Sequence, residues 1–253
     1  MLNKIRLALI GAIVLCAMFL LPGVSFAASY QAHTGSNWTT ASFAFTGLIT
    51  SGQNQGTVLT GGLTITIGND GYFHGNFHEP DGTQVSVSGQ AKQDGSLTIA
   101  FYTPGGQPFI RGEGMLNGNE YTGPFQVYSG DKQIASGIWS ALAVADPSKV
   151  LALAFTGKTL SGPDKGAMYE GAIVLNSQSL AGTFNLPDGT VVMVQGKLKH
   201  NGHIKVVFDL GGNKAITGYG KPVNNGNEKG FAGPYFGPAT GDKGWWSAYF
   251  FGF

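Results

Sequence analysis

The chain of 253 residues holds a single cysteine, Cys16. It lies in an N-terminal apolar run that export would remove, so a disulfide framework is excluded. Leu15 precedes it where a lipoprotein peptidase needs a small residue, which argues against lipidation. Charge is scarce at 11 % of residues. With ample Thr, Ser, Val, Ile and aromatics beside it, that scarcity argues for a β-protein and not for disorder. Helix signals are nearly absent past the N-terminus, because 41 glycines recur too often for any helix interior. Arg111 is the one arginine beyond Arg6, and lysines spread singly do not make a nucleic-acid patch. Nucleophile patterns are missing as well. There is no Gly-x-Ser-x-Gly elbow and no glycine-rich loop of the strand-to-helix kind. Asp70, Asp81, Asp94 and Asp188 sit beside Gly, Pro or Asn, where turn chemistry accounts for them. No catalytic residue, metal ligand or cofactor is assigned.

What is present is a duplication. Phe45-Thr46-Gly47, Pro80-Asp81-Gly82-Thr83, Gly123-Pro124-Phe125 and Trp139-Ser140-Ala141 recur in order. Their partners are Phe155-Thr156-Gly157, Pro187-Asp188-Gly189-Thr190, Gly233-Pro234-Tyr235 and Trp246-Ser247-Ala248, at offsets of 110, 107, 110 and 107 residues. The two copies differ in charge. Ser29 to Ala145 carries three bases and seven acids, net −4, while Pro147 to Phe253 carries ten lysines and six acids, net +4.

The N-terminus reads as an export signal. Lys4 and Arg6 precede the apolar run Leu7 to Leu21, and Ser25-Phe26-Ala27 supplies small residues for cleavage after Ala27. An uncleaved anchor is the alternative. Cleavage leaves 253 − 27 = 226 residues, enough for two units of about 100 residues, each with a modest core. The expected location is extracytoplasmic.

Strand signals fill the rest. Leu63-Thr64-Ile65-Thr66-Ile67 and Val85-Ser86-Val87-Ser88 alternate apolar and polar residues with period two. Asn69-Asp70-Gly71, Asp81-Gly82, Asp94-Gly95, Asn117-Gly118, Asp188-Gly189 and Asn201-Gly202 punctuate them as short turns. The rhythm predicts an all-β chain of two tandem eight-stranded antiparallel up-and-down barrels. Repeat 1 covers 43–145 and repeat 2 covers 150–253, after a polar lead at 28–42. Closure would remove exposed sheet edges. One barrel shared by both units is the alternative. The join Ala145-Asp146-Pro147-Ser148 is short, so the repeats should touch.

Each unit resembles a calycin-type barrel, of the avidin and lipocalin sort. The carrying features are the eight-strand meander, Gly75-Asn76-Phe77 with its counterpart Gly182-Thr183-Phe184, and the closing strands. These last read Ile138-Trp139-Ser140-Ala141-Leu142 and Trp245-Trp246-Ser247-Ala248-Tyr249. The tryptophan that opens the first avidin strand has no counterpart at Phe43 or Leu153, so no ligand is carried over.

The candidate ligand-binding residues are Trp139 and Trp246 at equivalent barrel ends, Phe77 and Phe184 below them, and the pair Arg111 and Glu113. Arg111 and Glu113 lie two apart on one strand face, able to bind an acid or hold the barrel end. His74 and His78 beside Glu79 look like a metal cluster, but four strand residues span about 13 Å, too far for one ion. His200 and His203 flank Asn201-Gly202, read as a type I′ turn. The function expected is a non-catalytic binding or surface-structural module. Its partner is a small apolar ligand or a surface partner, with no nucleic acid. Tyr249, Phe251 and Phe253 resemble the last strand of an outer-membrane barrel, which is the alternative. An extracytoplasmic hydrolase or isomerase using Glu113 or His78 is a further alternative.

Overall fold

The computed structural model describes residues 38–212 and 214–253. The export signal lies outside the described residues. Among the described residues sixteen strands form two closed barrels. Barrel 1 contains β1 (Trp38–Gly52), β2 (Val58–Gly68), β3 (Tyr72–His78), β4 (Gln84–Ala91), β5 (Ser96–Tyr102), β6 (Pro108–Asn117), β7 (Glu120–Ser129) and β8 (Lys132–Val144). Barrel 2 contains β9 (Val150–Ser161), β10 (Met168–Asn176), β11 (Ala181–Asn185), β12 (Val191–Leu198), β13 (Ile204–Gly211), β14 (Lys214–Asn225), β15 (Glu228–Phe236) and β16 (Lys243–Phe250). Neighbouring strands pair antiparallel, and β8 closes on β1 as β16 closes on β9. The first strand begins earlier than the sequence suggests. Trp38 to Ser42 belong to β1, where Trp38 pairs opposite Gly68, so this part of the polar lead is sheet.

One turn recurs between strands. Glu79–Thr83, Lys92–Ser96, Leu186–Thr190 and Lys199–His203 are each closed by a backbone bond of 2.8–2.9 Å from the first residue's N–H to the last residue's carbonyl. The third loop residue is glycine at φ +77 to +89°, in Gly82, Gly95, Gly189 and Gly202. The Asp or Asn before it accepts the following backbone N–H, as Asp81 does from Thr83 at 2.8 Å. This is a three-residue loop of a type I turn plus a glycine bulge. It corrects the type I′ reading at Asn201-Gly202. A type I′ turn needs positive φ at both central residues, and Asn201 is not among the described non-glycine residues with positive φ.

The interiors match residue by residue. Phe45 stacks on Trp139 and meets Phe77 edge to face, and Phe155 does the same with Trp246 and Phe184. The Trp139 indole N–H donates to the Pro124 carbonyl at 3.1 Å, and Trp246 donates to Pro234 at 3.2 Å. Glycine in the walls makes these rings fit. A Cβ on Gly220 would stand 2.7 Å from the Trp246 ring, and Gly114 faces Trp139 in the same way. Large rings therefore lie flat against bare backbone, which spaces glycine and aromatic residues alike through each repeat.

The barrels pack side to side. β1 lies on β10 and β2 on β9, an exchange of equivalent strands that relates the repeats by a local two-fold. Ala44, Val144, Ala152, Ala172 and Phe251 are buried along this seam. Phe251 and Phe253 meet with ring centroids 5.8 Å apart, so the terminal aromatics serve inter-barrel packing. Ser140 Oγ donates across the seam to the Leu186 carbonyl at 2.9 Å. Outward positions of barrel 1, including Gln84, Ser86, Ser88, Gln90 and Thr98, are polar and form no lipid-facing band.

Candidate functional site: the open end of barrel 2

The barrels differ at one end. In barrel 1 the inward positions there are Ile49, Leu59, Val85, Ile110, Phe125 and Ala135, all buried. Strand register gives the equivalents in barrel 2 as Thr159, Tyr169, Val192, Ile216, Tyr235 and Asp242. Four of the six have exchanged an apolar side chain for one with a hydroxyl or carboxyl group. Barrel 1 closes on an apolar plug, whereas barrel 2 opens into a cavity of about 190 Å³.

Phe155, Phe184, Phe208 and Trp246 form the floor of this cavity, with ring centroids 5.1–5.9 Å apart. The rim is polar. Thr159 Oγ1 and Tyr235 Oη are hydrogen-bonded at 2.5 Å. Asp242 is 4 % exposed, and its Oδ1 accepts the Asp164 backbone N–H at 3.0 Å, tying the β9–β10 loop to the mouth. Its own N–H donates to Thr240 Oγ1 at 3.2 Å. Burial, then the Asp164 carboxylate, pushes the Tyr169 hydroxyl above the usual phenol range. Burial raises Tyr235 likewise, with Asp242 and Asp164 adding to it against the opposing bond from Thr159. Both phenols therefore stay protonated donors at neutral pH. Among the described residues no lysine, arginine or histidine lines the cavity. The arrangement suits a compact molecule with an apolar face and a polar edge. An engineered cavity of about 150 Å³ already holds benzene.

The sequence candidates separate in the structure. Trp246 and Phe184 line the cavity together. Trp139 and Phe77, at 1 % and 0 % exposure, are sealed in the core of barrel 1. Arg111 and Glu113 sit exposed on the outer wall of β6, away from any barrel interior. Arg111 lies over the Tyr128 ring, 5.1 Å from its centroid. His74 packs edge-on against Trp38 at 5.6 Å. Burial lowers the pKa of His78. Among the described residues no three acidic, histidine or cysteine side chains are grouped as for a metal ion. Thr159, Tyr169, Tyr235 and Asp242 escaped sequence reading. Their signal was present as departures from Ile49, Leu59, Phe125 and Ala135, visible once the copies are aligned through inward-facing positions.

Together these features define a duplicated, closed up-and-down β-barrel protein with one plugged barrel and one open one. No protein family matches the chain, and no curated protein does. The similar solved structures include the following two, both at low identity. The Myxococcus Xanthus hemagglutinin, in complex with a3,a6-mannopentaose, is 12 % identical with a TM-score of 0.21, covering 83 % of this chain and 100 % of that one. The Burkholderia oklahomensis agglutinin is 11 % identical with a TM-score of 0.19, covering 85 % of this chain and 95 % of that one. Likeness this remote assigns no ligand.

Proposed function

We propose that the chain is an exported, non-catalytic binding module in which barrel 2 takes a small ligand and barrel 1 serves as its structural partner. The carrying observation is the register-matched change at four inward positions, which converts the plugged end of barrel 1 into the cavity of barrel 2. Such a change removes buried apolar contacts and places polar groups where core packing would favour methyls, a cost that fits a binding role. The calycin-like reading belongs here too: a meander barrel whose ligand enters one end, over a floor set by a closing-strand tryptophan. Export rests on the N-terminal sequence pattern alone.

The ligand is a single-ring molecule whose apolar face meets Trp246 and Phe184 and whose polar edge meets Thr159, Tyr235 and Asp242. The test restores the barrel 1 residues in barrel 2, as Thr159→Ile, Tyr169→Leu, Tyr235→Phe and Asp242→Ala together. Native mass spectrometry and ligand-observed NMR with a library of single-ring fragments compare this variant with the natural chain. Fragments that bind the natural chain and lose binding at least tenfold in the variant support the reading. Equal binding to both chains, or none to the natural chain, defeats it.

A further inference from the structure

The outer wall of barrel 2 carries a second feature, unrelated to the cavity. One register line runs around the barrel perpendicular to the strands. Lys197 on β12 pairs with Lys205 on β13, which pairs with Tyr219 on β14. On the far side, Pro234 on β15 pairs with Trp245 on β16, which pairs with Lys158 on β9. Tyr219 falls opposite Pro234 in the same register, at a point where the β14–β15 ladder is interrupted between Gly218 and Lys221. The outward row therefore reads Lys197, Lys205, Tyr219, Pro234, Trp245, Lys158. It crosses six strands, or roughly 24 Å at about 4.8 Å per strand.

Four properties of this row ask for a partner. Trp245 and Tyr219 are 49 % and 45 % exposed, although large aromatic rings are ordinarily covered. Lys197 and Lys205 stand directly opposite each other, a like-charge pairing that destabilises a sheet. A groove of about 340 Å³ lies along the row at the interrupted ladder, lined by Lys199, His203, Tyr219, Lys221, Gly233 and Trp245. Lys199 Nζ sits 5.5 Å from the Tyr219 ring centroid, so a further cation is held at the groove edge. Within the row itself there is no acidic side chain.

Barrel 1 supplies the control. Its ladder is interrupted at the matching place, between Gly112 and Met115, and a groove of about 340 Å³ lies there too. Its register line, however, reads Gln90, Thr98, Glu113, Pro124, Ile138 and Leu48. Both copies inherit the backbone groove and the lysine at its edge, Lys92 standing where Lys199 does, while along the register line itself the lysines and exposed rings occur in barrel 2 alone. The +4 charge of the second half is thus partly gathered along one line around barrel 2.

We propose that this row is a binding track for an acidic polysaccharide. Lysines at both ends and along the groove meet carboxylates or sulfates spaced along the polymer. The Trp245 and Tyr219 rings, with Pro234 between them, offer flat apolar surfaces to the faces of sugar rings. The single point charges of lysine, without the planar fork of arginine, suit dispersed carboxylates on a hydrated chain more than bidentate phosphate contacts. A shallow groove without a deep pocket fits a linear polymer crossing the strands.

The experiment measures binding of the full chain to alginate oligosaccharides and to heparin, by calorimetry and by fluorescence, at low and at physiological salt. Neutral dextran and single-stranded oligo-dT are run alongside. The expected result is binding to at least one acidic glycan, weakened by salt as counterion release requires, with dextran inert. Trp245→Ala and the double change Lys197→Glu with Lys205→Glu each weaken it at least tenfold. Glu113→Gln on barrel 1 leaves it unchanged. All the altered residues are surface side chains, and circular dichroism confirms the fold of each variant. Failure of both acidic glycans to bind at low salt overturns the proposal. So does binding insensitive to Trp245→Ala. Oligo-dT binding as tight as either glycan, with the same variant profile, overturns the choice of a polysaccharide.

Discussion

Trp139→Ala and Trp246→Ala should differ in cost, although the two rings are the same residue at the same place in twin barrels. Trp139 is 1 % exposed, stacks on Phe45, and donates its indole N–H to the Pro124 carbonyl. Its removal opens a void that surrounding strands cannot fill, because they are tied into a closed ladder. Buried Trp to Ala changes cost about 3–5 kcal/mol, and an orphaned carbonyl moves this toward the upper end. Trp246 makes the same hydrogen bond and the same stack, but part of its surface already borders the 190 Å³ cavity. Fewer packing contacts are lost there, and water reaches the space, so its loss should cost about 3 kcal/mol or less. Urea unfolding followed by circular dichroism gives both values. If barrel 1 melts on its own, Trp139→Ala lowers its Tm by roughly 12–40 °C. If the seam makes both barrels melt together, the drop is roughly 6–20 °C. A Trp246→Ala cost above that of Trp139→Ala, or a Trp139→Ala cost under about 1 kcal/mol, refutes the contrast between a sealed and an open barrel.

Glu120 is 9 % exposed at the inter-barrel seam, and its Oε1 has no hydrogen-bond partner. Burial raises its pKa, opposed by the nearby Ser140 hydroxyl and assisted by the Asp188 carboxylate. A raised carboxyl pKa means the folded state binds the proton more tightly than the unfolded chain. Its stabilising share is present below the unfolded value and lost as pH climbs through the folded value. Glu120→Gln should therefore raise stability at neutral pH and flatten the pH profile on the acid side, as read by thermal melts from pH 4 to pH 8. An unchanged profile contradicts the assignment. Gly82→Ala tests conformation apart from space, since φ is +89° and nothing lies within 4 Å of the added Cβ. It should cost about 1–2 kcal/mol in urea unfolding, and a neutral result would remove the turn argument. Gly220→Val tests space instead, because a Cβ there stands 2.7 Å from the Trp246 ring. It should destabilise by about 1–3 kcal/mol and change the emission of Trp246, and an unaltered spectrum would count against the ring-on-glycine contact.

The duplication and the strand count were legible because both are written locally. Period-two alternation and Asp-Gly or Asn-Gly turns are short-range signals, and they recur at both sets of offsets. The start of β1 was not, since Trp38-Thr39-Thr40 looks polar and gains its sheet status only from pairing with Gly68 and its neighbours. Trp139 and Trp246 look identical in sequence. What distinguishes them is contributed by β1, β2, β7 and β8 in one copy and by β9, β10, β15 and the residue just before β16 in the other. Arg111 and Glu113 sit two apart as a pair on one face should, but period two alone does not say whether that face looks inward or outward. The lysine and aromatic row is the most dispersed signal of all, since its six members come from six strands and meet only through register.

Xenon uptake tests the central claim most directly, because the gas enters apolar voids without needing a chosen ligand. A crystal of the full chain under xenon pressure should show xenon beside Trp246 and Phe184 in barrel 2 and none beside Trp139 and Phe77 in barrel 1. Xenon in both interiors, or in neither, would contradict a plugged barrel fused to an open one.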